Sequence, residues 1–120
     1  MAQLVVEGDR LAVGLSALER LGAFVLRRPE APLAAVRSVR SAGRAYSELR
    51  GIRAPGTGLP GVIALGTRRY RGGPDFVAVY GRGPVVVVEL EGARYRRFVV
   101  SSATALEDAE ALTLRLASIR

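Results

Sequence analysis

Four apolar segments follow one another in the second half of the chain: VIALGTR (62–68), DFVAVY (75–80), VVVVELE (85–91) and RYRRFVV (94–100). Turns rich in Gly and Pro at 72–74, 81–84 and 92–93 separate them. Short strands at such regular intervals predict an antiparallel meander. Runs such as Val85–Val88 are far too short to span a bilayer.

The first half carries the same signature less regularly. QLVVE and RLAVGLS flank Gly8-Asp9 as two strands about a tight turn, with Leu11, Val13 and Leu15 alternating against Ala12 and Gly14. Ser16 and Glu19 have capping-box spacing ahead of Leu18 and Leu21, so helix and continued strand both stay open there. AFVLRR reads as a strand running into Pro29, and PLAAVRSVRSA (32–42) as a helical turn followed by a strand. AYSELRG reads as a helical or turn segment, and IRAPGTGLPG as the longest loop. The terminal segment, 104–118, is an amphipathic helix. Thr104 and Glu107 have capping-box spacing, Glu107, Asp108 and Glu110 sit at the positive end, and Ala105, Leu106, Ala109, Leu112, Leu116 and Ala117 gather on one side. No repeat or linker divides the chain, so residues 1–120 read as one domain.

Composition narrows the chemistry. With no cysteine and no histidine, the chain has no disulfide, no thiolate metal site and none of the commonest general base. The seven serines have neither His nor Lys to activate them, and Asp9, Asp75 and Asp108 are scattered. No catalytic, cofactor or metal residue is expected, and the chain does not read as an enzyme. MAQLVVEGDR has an acidic residue by position 7 and no basic region before an apolar stretch, so it does not read as a signal peptide, and a cytoplasmic location follows.

Three features invite stronger readings. Gly56, Gly58 and Gly61 spell G-x-G-x-x-G, but a dinucleotide fingerprint needs a strand before it and a helix after it. Here Pro60 and the strand-like VIALGT follow, so a loop is expected. Glu89 and Glu91 share a side of a strand. A two-residue turn at Gly92-Ala93 puts Glu91 opposite Arg94 and Glu89 opposite Arg96, as cross-strand ion pairs worth roughly 0.2–1 kcal/mol each. That register leaves Arg97 in conflict, on a face with Val86, Val88, Leu90 and Val99.

The third feature is charge. The net charge is +7, and all 18 basic residues are Arg. Lys and Asn, both encoded by A-rich codons, are absent, so a GC-rich genome explains much of the Arg content. TRRYRGG and ARYRRF interleave Arg with Tyr, making Arg68, Arg69, Tyr70, Arg71, Arg94, Tyr95, Arg96 and Arg97 the candidate polyanion-binding residues, for nucleic acid or an anionic membrane surface. Solvated hairpin arginines, partly paired with Glu89 and Glu91, are the plainer account.

LAVGLSALERLGAF followed by PLAAVRSVRSA, with Pro32, Leu33, Val36 and Val39 in a Pro-Leu-x-x-Val-x-x-Val stretch, resembles the opening of bacterial pleckstrin-homology-like (PH-like) domains. ELRGIRAPGTGLPGVIALGT and DFVAVY further resemble a group of small conserved actinobacterial proteins without an assigned function. The resemblance implies a bent antiparallel barrel of about seven strands capped by the C-terminal helix. It also implies a protein-interaction or self-assembly module with exposed strand edges. Phosphoinositide-binding members carry basic residues around a long first hairpin loop, whereas EGDR here offers only Arg10 beside Glu7 and Asp9.

Overall fold

The computed structural model describes residues 2–23, 27–45, 48–49, 52–59, 63–70 and 73–119, with 52–59, 69, 70 and 119 described by their backbone. β1 (Gln3–Glu7) and β2 (Arg10–Gly14) form the expected hairpin, with Glu7 opposite Arg10. Gly8 stands at φ 60°, the left-handed region that a two-residue hairpin turn demands. β3 (Glu30–Pro32) pairs with the other side of β2 and completes a three-stranded sheet.

Residues left open by the sequence, 17–23, are helical: α1 (Ala17–Ala23). Its start is a full capping box. The Glu19 amide donates to Ser16 Oγ at 3.1 Å and the Ser16 amide donates to Glu19 Oε1 at 2.9 Å. The strand expected over AFVLRR falls partly outside the described residues (24–26), and Arg27–Pro29 are not in a strand. As expected, a 3-10 turn at Leu33–Ala35 precedes a strand, β4 (Val36–Ala42).

The second sheet has six strands in the order β4-β8-β9-β7-β6-β5. β5 (Ile52–Leu59) corrects the expected loop: Gly56 pairs with Gly66 and Gly58 with Ala64 of β6 (Ile63–Tyr70). A register shift between Arg53 and Gly56 takes up Pro55, which has no N–H for a ladder. Gly61 lies outside the described residues.

β7 (Gly73–Tyr80), β8 (Val85–Leu90) and β9 (Arg97–Ser101) depart from the meander. β9 lies between β8 and β7, antiparallel to the first and parallel to the second. Burial explains the order. Val85–Val88 and Phe98–Val100 are at most 2% exposed, so β8 and β9 are apolar on both faces and need neighbours on both sides. In a meander β9 would end the sheet; inserted as it is, it leaves the border to the Arg- and Ser-bearing β4. The ends of β7 and β9 are stitched where the chain crosses over. The Tyr80 amide donates to Ser101 Oγ at 2.8 Å, and the Ser102 amide donates to the Pro84 carbonyl at 3.1 Å.

The fold is therefore mainly β with a C-terminal helix, as expected, but its nine described strands form two sheets that do not close into a barrel. The main core gathers Leu11, Leu33, Phe76, Val86, Val88 and Phe98; a second cluster on the far face of the larger sheet gathers Val77, Val79, Val85, Val87 and Val99. α2 (Ala105–Ile119) packs over β4 and β8 of its own chain through Ala105, Ala109, Leu112 and Leu116. Leu106 and Ala117, expected on that stripe, are exposed instead. The capping box expected of Thr104 and Glu107 is replaced by another arrangement: the Thr104 amide donates to Ser102 Oγ at 3.2 Å and the Thr104 hydroxyl donates to Asp108 Oδ1 at 3.1 Å.

Candidate interaction site

The β8–β9 connection, which carries Arg94 and Arg96, meets the start of β7 at one end of the larger sheet. The Arg96 amide donates to the Pro74 carbonyl at 2.7 Å, and the Arg96 side chain crosses Gly73, where a Cβ would stand 2.6 Å from Arg96 Cγ. Gly73 is at φ 135°, so this close approach and the backbone both require glycine. Behind that contact runs a charge row through four strands: Arg68 opposite Asp75, Asp75 beside Arg97, and Arg97 opposite Glu89.

This register corrects the expected one. The β8–β9 connection runs from 91 to 96, longer than a two-residue turn, and Glu89 faces Arg97 instead of Arg96. Glu91 pairs at 3.1 Å with Arg37 of β4, not with Arg94. A one-residue slip exchanges the faces of a strand, so Arg97 leaves the Val86–Val88–Leu90 face and joins Val85, Val87 and Val99. Its conflict moves from the main core to the second apolar cluster, where Glu89 and the Glu48 carbonyl meet its guanidinium. The Arg97 side chain is only 12% exposed; Nη2 lies 3.5 Å from Glu89 Oε1 and Nη1 donates to the Glu48 carbonyl at 3.3 Å. Its Nε is buried without a hydrogen-bond partner among the described residues.

Of the other candidates, Tyr95 is a core residue. Its ring meets Phe76 edge-on at 5.8 Å and Phe98 at a tilt at 5.8 Å, with the Arg94 guanidinium 5.8 Å from its centroid. A ring so enclosed has no face left for a base to stack on. Arg94 and Arg96 are exposed and Arg68 is half-buried. Arg69 and Tyr70 belong to β6, with side chains outside the description, and Arg71 lies outside the described residues.

No family model, curated protein or solved structure matches this chain. The site must be read from its own geometry.

That geometry points to β4. Among the described residues it pairs with β8 alone, in unbroken antiparallel register from Ser38 to Ala42, with a bulge between Val36 and Ser38. Val39 and Ser41 stand opposite Val88 and Val86, on the face that α2 covers. Arg40 and Ala42 stand opposite Val87 and Val85, on the other. The two arginines of this border are engaged: Arg37 with Glu91, and Arg40 with Glu48, whose carboxyl the Arg40 guanidinium holds below its usual range. Beside the strand a groove of about 430 Å³ runs between Val39–Ser41 and α2. Leu106 and Leu114 line it, 60% and 71% exposed.

Sequence reading missed this pair of features. VRSVRSA contains a usable signal, since strands with charged and small polar residues at most positions suit an edge. The helix hid its second stripe because Leu106 fits the apolar face by angle alone.

A larger cleft of about 600 Å³ separates β1 from α2, with Leu4, Val6, Val86 and Leu112 on its walls and Ser102, Thr104, Asp108 and Arg115 at its rim. Its hydroxyls are engaged in structure: Ser102 and Thr104 both donate to the Asp108 carboxylate, and Ser101 accepts from Tyr80. These bonds fix the start of α2.

Proposed function

We propose that the protein is a non-enzymatic interaction module that takes up an extended segment of a protein partner along β4. One observation carries this reading: a strand edge that no other described strand pairs, Ser38–Ala42, and two exposed leucines of α2 line the same groove. An edge strand directs the N–H and C=O groups of alternate residues away from its sheet, so an added strand gains main-chain hydrogen bonds while alternate side chains reach Val39 and the leucines. Engaged carboxylates and hydroxyls support a binding role over chemistry. The resemblance to PH-like domains supports it too, because Pro32, Leu33, Val36 and Val39 belong to the turn and strand that form this border. In this reading the chain is a PH-like module whose sheet stays open, working in the cytoplasm. Among the described residues no helix is long and apolar enough to cross a membrane.

Selection of peptides from a random displayed library, mapped by amide shifts on the labelled protein, tests the proposal. Shifts over Val39–Ala42 and Leu106–Leu114 are expected; selected peptides that perturb only 91–96 or β1 reject it.

The meeting of Arg96 with the β6–β7 end favours a second reading, a polyanion site built on Arg94 and Arg96 with Arg68 behind. Under the first reading, attraction to single-stranded RNA or anionic vesicles is screened away by about 0.15 M salt. Retained binding there, abolished by Arg94→Glu with Arg96→Glu, supports the second.

A further inference from the structure

We infer that the segment laid along β4 carries a basic side chain between two apolar ones, at two-residue spacing, and sets the basic group on Glu110. The inference rests on the strand-addition reading and names the partner's chemistry. Glu110 is exposed and lines the groove between Leu106 and Leu114. The Asp108 carboxylate is taken by the Ser102 and Thr104 hydroxyls, whereas the Glu110 carboxylate has no ion pair with a described residue.

Charge selects the sign of the occupant. Among the described residues lining the groove, Arg40 and Glu110 are charged. Arg40 stands on the face of β4 away from α2, and Glu48 holds its guanidinium. Glu110 is thus the charge offered on the helix side. Glu107, exposed three residues before it, has the same sign, while Arg115 lines the other cleft. The chain's net charge of +7 attracts acidic partners at a distance, but that attraction is largely screened beyond about 8 Å at physiological salt. Contact chemistry in the groove has the opposite preference.

Spacing selects the pattern. Leu106, Glu110 and Leu114 stand four residues apart, so they repeat at about 6 Å along the helix. Alternate residues of an extended strand share a face and repeat at about 6.6 Å. Over two steps an apolar-x-basic-x-apolar strand therefore keeps pace with the stripe to within about 1–2 Å. β4 supplies main-chain hydrogen bonds, and the stripe reads the side chains.

The test selects the displayed library in parallel against the full chain and its Glu110→Arg variant, a change at an exposed helix position that leaves the fold intact. Peptides selected on the native chain are expected to carry Arg or Lys between two apolar residues in this spacing. Those selected on the variant are expected to carry Asp or Glu there. A peptide from the native selection should bind Glu110→Arg about 10-fold more weakly or worse, and replacing its basic residue by Glu should restore affinity. Peptides that shift the Val39–Ala42 amides of both proteins with no preference at the central position, or with an acidic one on the native chain, overturn the inference and leave strand addition standing. Peptides that shift only 91–96 or β1, or a selection that yields none, overturn both.

Discussion

α1 and α2 both begin on a hydroxyl residue whose partner is a carboxylate further along the helix, yet they turn opposite faces to the body of the protein. In α2 the apolar stripe Ala105, Ala109, Leu112 and Leu116 is buried and the acidic residues are outside. In α1 the carboxylate is inside: Glu19 is 8% exposed, while Leu18 and Leu21 are 80% and 69% exposed. Glu19 caps its own helix through Ser16 and accepts a hydrogen bond from the Tyr80 hydroxyl at the end of β7. One helix is held by apolar area, the other by a polar clamp. The same pair of forces that builds most domains is here divided between two elements, so the two should fail under different conditions.

Breaking the apolar hold has the largest effect expected. Leu112→Ala removes a buried side chain between α2 and the sheet and should destabilise by about 2–5 kcal/mol, read from chemical denaturation. Breaking the clamp costs less: Tyr80→Phe removes a hydrogen bond to a charged group and should cost about 1–3 kcal/mol, with amide exchange in α1 accelerated before the rest.

Acid sharpens the contrast. Burial pushes the Glu19 carboxyl up, but the Ser16 amide and the Tyr80 hydroxyl outweigh it and hold the group below the usual carboxylate range. A folded-state pKa below the unfolded one stabilises above the unfolded value of about 4.5 and loses that stabilisation as pH falls through the folded value. The Tyr80→Phe penalty should therefore shrink from neutral pH to below pH ~4, while the Leu112→Ala penalty stays unchanged over the same window. Burial and Glu19 push the Tyr80 phenol well above its usual value, so it remains the donor throughout this range. The smallest effect belongs to Leu18→Ala, which touches only exposed surface and should stay within about 0.5 kcal/mol of wild type by thermal melting.

Local signals in the sequence carried far and then stopped at a physical boundary. The Gly8 hairpin, the Ser16 capping box, the turn before β4 and the terminal helix are all set by neighbours within a few residues, and periodicity or turn chemistry reveals them. Strand order is not local. Nothing in VVVVELE or RYRRFVV says that β9 enters between β8 and β7, because the cause is burial of both faces by distant segments. β5 hid for a related reason: its glycines and Pro55 disfavour a strand, and pairing with β6 overrides them. The arginine candidates suffered from a single-residue error. Once the 91–96 connection shifts the register, Arg97 turns from a surface ligand into part of the Glu89–Glu48 lattice, and Tyr95 goes to the core. The β4 border needed topology before it became visible, since an edge is a property of the finished sheet.

The claim that β4 is a working edge has a direct measure in amide hydrogen exchange over Ser38–Ala42 with and without a peptide selected against the protein. The account predicts that the amides directed away from β8 exchange freely in the protein alone and are protected when the peptide is added, with β8 and β9 unchanged. Exchange along β4 that is indifferent to every selected peptide would contradict it.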